Sequence, residues 1–208
     1  MKKVKLSKKE CKKLFKEAYA LAFENEQTTP PWNKIFKLWL KAAKNGHTRA
    51  QFYTGVCYDN GFGTKKNLKK AFNWYLKAAH NGMMEAQYNI GFFYSNGELV
   101  EQNKNTAVHW FSLAAQQGDM EAQRDLGYCY FYGKGVQQNF KTAIHWYKKA
   151  AAQKDNKALY NLGLCYEYGD GVKKSSAKAK NYYKKAKKLG HENAGERLEQ
   201  LKKDKHKG

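Results

Sequence analysis

One spacing constrains this chain more than any other feature. The segment AQFYTGVCYDNGFG beginning at Ala50 recurs as AQYNIGFFYSNGEL at Ala86, AQRDLGYCYFYGKG at Ala122 and ALYNLGLCYEYGDG at Ala158, each start 36 residues after the last. A second set keeps the same step: FNWYLKAAHNG at Phe72, VHWFSLAAQQG at Val108, IHWYKKAAAQK at Ile144 and KNYYKKAKKLG at Lys180. A fixed period in this range marks a repeat array, in which a unit too small to bury its own apolar face shares a core with its neighbours.

Each unit reads as two helices. Ala50, Thr54, Gly55 and Tyr58 lie at the spacing of one helical face, and Ala86, Ile90, Gly91 and Tyr94 repeat it. Gly61, Gly97, Gly133 and Gly169 then close the first helix, where a left-handed residue is common. Asn67, Asn103, Asn139 and Ser175 stand at one register and predict the N-cap of the second helix. That helix carries Ala71, Trp74 and Ala78, with Ala107, Trp110 and Ala114 in the next unit. Gly82, Gly118 and Gly190 end it, and Lys154 replaces that glycine once. Gly55, Gly91, Gly127 and Gly163 sit in mid-helix, where glycine costs up to ~1 kcal/mol relative to alanine. Their fixed register predicts a close approach by a neighbouring helix.

The ends are degenerate versions of the unit. Ser7 to Glu10 forms a capping box opening a helix through about Asn25. Pro31 starts its partner, which leads through Trp39 and Leu40 into Ala42 and Ala43. Residues 194–208 keep the register at Ala194 and Leu198 but replace aromatics with glutamate and lysine, predicting a polar closing helix. The expected organisation is a single repeat domain over 1–208. It has a capping repeat over 1–49, four repeats starting at 50, 86, 122 and 158, and a C-terminal capping helix, about eleven helices in all.

The pattern A-x-x-x-L-G-x-x-Y-x-x-G-x-G-V followed by A-x-x-W-Y-x-K-A-A-x-x-G resembles the Sel-1-like repeat family, a relative of the tetratricopeptide repeat. Ala122, Leu126, Gly127, Tyr130, Gly133, Gly135 and Val136 carry the first half. Ala143, Trp146, Tyr147, Lys149, Ala150 and Ala151 carry the second. The resemblance covers residues 32–193. It implies an all-α, right-handed α/α superhelical solenoid and a role as adaptor or scaffold, with no substrate or reaction attached. Fold analogy alone does not supply function.

Other classes fit poorly. The 15% aromatic content argues against disorder. No apolar run approaches the ~20 residues of a membrane helix, so the expected location is cytoplasmic. The G-x-G triplets at Gly61, Gly133 and Gly169 follow helices and lack a third glycine, so they read as turns rather than phosphate loops. Cys57, Cys129 and Cys165 share one repeat position, filled by Phe93 in the remaining unit; Cys11 lies apart. Stacked helices at roughly 9–10 Å exceed the ~7 Å a disulfide's Cα atoms tolerate, so four free, buried thiols are expected. His109 and His145 precede Trp110 and Trp146 and read as outer-edge residues without a carboxylate or thiol partner. Trp74, Trp110 and Trp146 are expected in the core. No cofactor, metal or catalytic residue is predicted.

In the tetratricopeptide relative, the first helices face the concave side. By that alignment the third, seventh, tenth and eleventh positions of each unit line a groove. They are Phe52, Val56, Asp59 and Asn60, then Tyr88, Phe92, Ser95 and Asn96. The next units give Arg124, Tyr128, Phe131 and Tyr132, then Tyr160, Leu164, Glu167 and Tyr168. Arg49, Glu85, Glu121 and Lys157 stand just before them. With three positive and four negative members, this lining is aromatic and close to neutral, while the whole chain is +21. Aromatic anchors beside an arginine are typical of protein interfaces.

Two readings follow. One is a non-catalytic adaptor holding a peptide or partner protein in that aromatic groove. The other is a binder of nucleic acid or an anionic membrane, since net charge is +9 over 1–50, +5 over 51–157 and +7 over 158–208. Its lysines are Lys65, Lys66, Lys69 and Lys70, then Lys173 and Lys174, then Lys184, Lys185, Lys187 and Lys188. They fall on loops and second helices, away from the predicted rings.

Overall fold

The computed structural model describes residues 5–24 and 29–203. They form eleven α-helices and, among the described residues, no strand. Two compact units divide the chain, 1–102 and 103–208. The first holds α1 (Lys8–Phe23), α2 (Trp32–Lys44), α3 (Thr48–Asn60), α4 (Leu68–His80) and α5 (Met84–Asn96). The second holds α6 (Lys104–Gln117), α7 (Met120–Tyr132), α8 (Phe140–Ala152), α9 (Asn156–Tyr168), α10 (Ser176–Lys188) and α11 (Ala194–Lys203). Within each unit, every helix packs on the next in sequence.

Local chemistry explains the boundaries. The Ser7 side chain accepts from the Glu10 backbone N–H at 3.2 Å, and the Ser7 backbone N–H donates to the Glu10 carboxylate at 2.7 Å. This hydrogen bonding with Ser7 also holds the Glu10 carboxyl below its ordinary pKa. Helix α1 ends at Phe23 with Glu24 as its C-cap, and Asn25 lies outside the described residues. Pro31 occupies the N-cap of α2, one residue outside the helix rather than inside it. Asn67, Asn103 and Asn139 accept backbone N–H groups at 2.9, 2.9 and 3.0 Å, and Ser175 does so at 3.3 Å. Each thereby satisfies an orphan donor at the start of a second helix. Gly61, Gly97, Gly133 and Gly169 are all left-handed C-caps.

The mid-helix glycines mark a close approach, made by a ring. A methyl group added at Gly127 would lie 2.6 Å from the Tyr147 ring and 3.2 Å from the Ala143 carbonyl oxygen. Gly55 meets Tyr75 and Gly163 meets Tyr183 in the same way. In these three repeats the second helix thus pushes an aromatic ring against the backbone of the first.

That ring is not the one the spacing suggested. Tyr75, Phe111, Tyr147 and Tyr183 are buried, whereas Trp74 and Trp146 are only half-buried and Trp110 alone of the three tryptophans is buried. Lys77 covers the Trp74 ring at 4.5 Å and Lys149 the Trp146 ring at 4.6 Å. Trp74 and Trp146 flank the seam and keep an exposed edge, because the ring one residue later points at the glycine.

Cys11, Cys57, Cys129 and Cys165 are free and buried. Burial pushes the thiols of Cys57 and Cys165 up to about 12 and that of Cys129 to about 11. With so little thiolate, the native protein is expected to react slowly with a thiol reagent. Unfolding without reductant should release four reactive thiols, and a lower yield would reveal a disulfide.

Candidate functional site

The predicted groove positions on the first helices divide into three roles. At the third position Arg124 and Tyr160 reach forward to the segment that precedes the next helix pair or closing helix, Asp155 and His191. The Arg124 guanidinium donates to Asp155 at 3.1 Å and to Asp125 at 2.9 Å. Asp155, itself buried, also caps α9 by accepting from the Ala158 N–H at 2.6 Å. Tyr160 stacks on His191 with ring centroids 4.2 Å apart, and burial lowers the His191 pKa. Phe52 packs 5.5 Å from both Tyr53 and Tyr75, and Tyr88 is half-buried. Phe52 is a joint within its repeat, and Arg124 and Tyr160 are joints between successive elements.

The tenth position clamps the buried ring. Asp59 accepts from the Tyr75 hydroxyl at 3.2 Å, and Glu167 accepts from Tyr183 at 2.6 Å. Glu167 also pairs with Arg197 of α11 at 2.9 Å. Burial first, and then the carboxylate, raises the pKa of both phenols. Phe131 fills the equivalent place with its ring, 5.0 Å from Phe140.

What remains outward is the seventh and eleventh positions. Phe92 is 45% exposed in the first unit; Tyr128, Tyr132 and Tyr168 are 40%, 55% and 58% exposed in the second. Val56 and Leu164 are half-buried, and Leu164 packs on the core at α10 and α11. Tyr128 and Tyr132, one helical turn apart, lie 4.6 Å between centroids. Lys134 donates to the Tyr128 hydroxyl at 2.9 Å and sits over that ring at 4.7 Å. The hydrogen bond raises the Lys134 pKa, so the charge persists through neutral pH. Arg197 lies over the Tyr168 ring at 5.5 Å and donates to its hydroxyl. The second unit therefore presents three exposed tyrosines with ring surface open to solvent, Tyr128 and Tyr168 each held at the hydroxyl by a cation.

The register could not place a further cleft, of about 1140 Å³, in the first unit. Phe15, Tyr19, His47 and Arg49 line it, with lysines of α1 along its edge. Arg49 sits over Phe15 at 5.1 Å, and His47 stacks on Phe15 at 4.8 Å. Because α1 belongs to the degenerate first repeat, its aromatic residues fall out of step with the positions that identify the lining elsewhere. The one legible signal was Arg49, just before the groove positions.

The G-x-G loops have a packing role. Gly63, Gly135 and Gly171, each with positive φ, press respectively on Trp32, Lys104 and Phe140, at the start of the preceding second helix. Among the described residues no group of three or more His, Cys, Asp or Glu side chains is placed to hold a metal ion. His109 and His145 are exposed and lie edge-on to the tryptophans that follow them. No described helix is long and apolar enough to cross a membrane.

The Sel1 repeat model matches residues 36–47, 48–83, 85–119, 121–155 and 156–191. Among solved structures, the chain is similar to a protective antigen present in uropathogenic Escherichia coli strains that displays an SLR fold. Identity is 35% and the TM-score 0.84, over 91% of this chain and 40% of that one. This chain thus spans well under half of that protein. A Sel1 repeat protein from Oxalobacter formigenes shares 29% identity with a TM-score of 0.79, over 88% of this chain and 75% of that one. The immunity protein Pa5087 from Pseudomonas aeruginosa shares 27% with a TM-score of 0.54, over 91% and 69%. No curated protein matches the sequence.

Proposed function

The chain belongs to the Sel1 repeat family, whose repeats generally mediate protein–protein interaction and are generally non-catalytic, and from that membership we propose an adaptor that holds a peptide or partner protein on its first helices. The observation that carries this reading is the set of exposed rings in the second unit. Tyr128 and Tyr168 spend their hydroxyls on Lys134 and Arg197, Tyr132 packs on Tyr128 and Phe131, and all three leave ring surface uncovered. Tyrosines held in place lose little rotamer freedom on binding, which makes them efficient anchors. In the second unit Arg124, Phe131, Tyr160 and Leu164 pack beneath that face, and in the first unit Phe52, Val56 and Tyr88 hold the same register while Phe92 offers a comparable exposed ring on α5.

Capture from an extract of the source cells by the immobilised protein tests this against the nucleic-acid reading. An aromatic interface is expected to retain one protein from low to high salt, because ring burial is screened little. Phosphate contacts would weaken steeply across the same range. Material that elutes with salt and is lost on nuclease treatment would overturn the adaptor reading.

A further inference from the structure

The second unit carries another concave surface, on its second helices. A groove of about 480 Å³ opens between α8 and α10, over a floor supplied by α9. Ala151, Ala152, Leu159, Tyr182 and Leu189 form its apolar lining. Its other edges belong to Lys148, Lys154, Lys185 and Lys188, and no carboxylate lines it. None of these lysines makes an ion pair among the described residues.

Two features show that the groove is built rather than incidental. Lys154 has φ +69, the one non-glycine residue with positive φ among those described. At the same register the other repeats have Gly46, Gly82, Gly118 and Gly190, all left-handed. A side chain in this conformation is disfavoured, yet here it adds the lysine that completes the charged rim. The backbone on both sides is also pinned. Gln153 donates to the Gly118 carbonyl oxygen at 2.8 Å, and Asn156 donates to the Leu189 carbonyl oxygen at 2.9 Å.

We propose that this groove docks an acidic peptide segment of a partner protein, one apolar side chain seated between Leu189 and Ala152 while flanking carboxylates meet the four lysines. Charge decides among occupants. A second copy of a +21 chain would be repelled. A bilayer surface is too flat to reach a recessed apolar floor. Single-stranded bases would need a free ring face to stack on, and the ring here, Tyr182, already stacks on Tyr166 at 5.5 Å with Lys185 over it at 5.9 Å, while a phosphate backbone alone brings no apolar group for the lining. Carboxylates beside an apolar anchor match both halves of the groove, and this surface is separate from the tyrosine face of α7 and α9.

The test uses the full chain and fluorescence anisotropy of a dye-labelled peptide alternating glutamate with leucine. Lys154→Gly restores the residue found at this register in the other repeats, so it removes a rim charge without burdening the fold. Combined with Lys188→Gln, it is expected to raise Kd roughly tenfold or more at low salt, while the melting temperature holds or rises. Leu189→Ser should weaken binding several-fold by removing part of the apolar lining. Tyr128→Ala with Tyr132→Ala should leave this peptide's affinity unchanged, which separates the groove from the tyrosine face. A glutamine–leucine peptide binding as tightly as the glutamate one would overturn the proposal, as would wild-type affinity in the Lys154→Gly, Lys188→Gln protein. So would an oligothymidylate or phosphatidylglycerol vesicles displacing the peptide and showing the same dependence on the two lysines.

Discussion

Tyr128→Ala combined with Tyr132→Ala is expected to weaken partner capture on the order of several hundredfold while leaving the protein folded. Loss of an anchoring ring commonly costs ~2 kcal/mol or more, and two such losses compound to that factor. The rings lie 4.6 Å apart and are among the most exposed large side chains of the chain. Their removal takes little from the core, and a surface change of this kind costs only about 0.5 kcal/mol of stability. Lys134 loses a hydrogen-bond partner but remains solvated. A thermal melt on the double variant establishes that the fold survives. Lys65→Glu with Lys66→Glu, in an exposed loop of the first unit, serves as the comparison. It should alter salt dependence and little else. Undiminished capture by a folded tyrosine variant, with loss in the lysine variant, would transfer the function to the basic surface.

Gly127→Ala is expected to destabilise the protein by roughly 2–3 kcal/mol, although alanine in mid-helix ordinarily gains up to ~1 kcal/mol over glycine. The added methyl would meet the Tyr147 ring at 2.6 Å, and the Ala143 carbonyl oxygen 3.2 Å away blocks a sideways escape. Tyr147 is buried, so its ring has no solvent to swing into. The sign should reverse once the ring is gone: in a Tyr147→Leu background, Gly127→Ala should be neutral or stabilising. Chemical denaturation of the four proteins in that cycle gives the coupling directly. A Gly127→Ala protein as stable as the parent would mean that the ring and the helix are not in the contact described.

How far these features were legible depends on how local their causes are. Ser7, Asn67, Asn103, Asn139 and Ser175 cap helices because an oxygen-bearing side chain three residues ahead of an N–H needs nothing from the rest of the chain. The left-handed C-caps at Gly133 and its equivalents are local in the same sense. The choice between Trp146 and Tyr147 is not. Both lie on the inward half of α8, and only the bare backbone of Gly127 on the facing helix makes the tyrosine the buried ring. The lining positions divided for a similar reason. Arg124 and Tyr128 stand one turn apart on the same helix, but Arg124 faces Asp155 at the start of the next first helix while Tyr128 faces solvent and Lys134. Lys154 read as a lost glycine, and only its place on the rim of an apolar groove gives it a use.

Period, helix boundaries and the Sel1 repeat identity were determined by the sequence itself, because they arise from spacings within a few residues repeated every 36. Tertiary structure alone decided which rings are buried, which are joints and which stay open. Those outcomes depend on what the neighbouring helix places opposite each side chain, and a linear register carries no record of that.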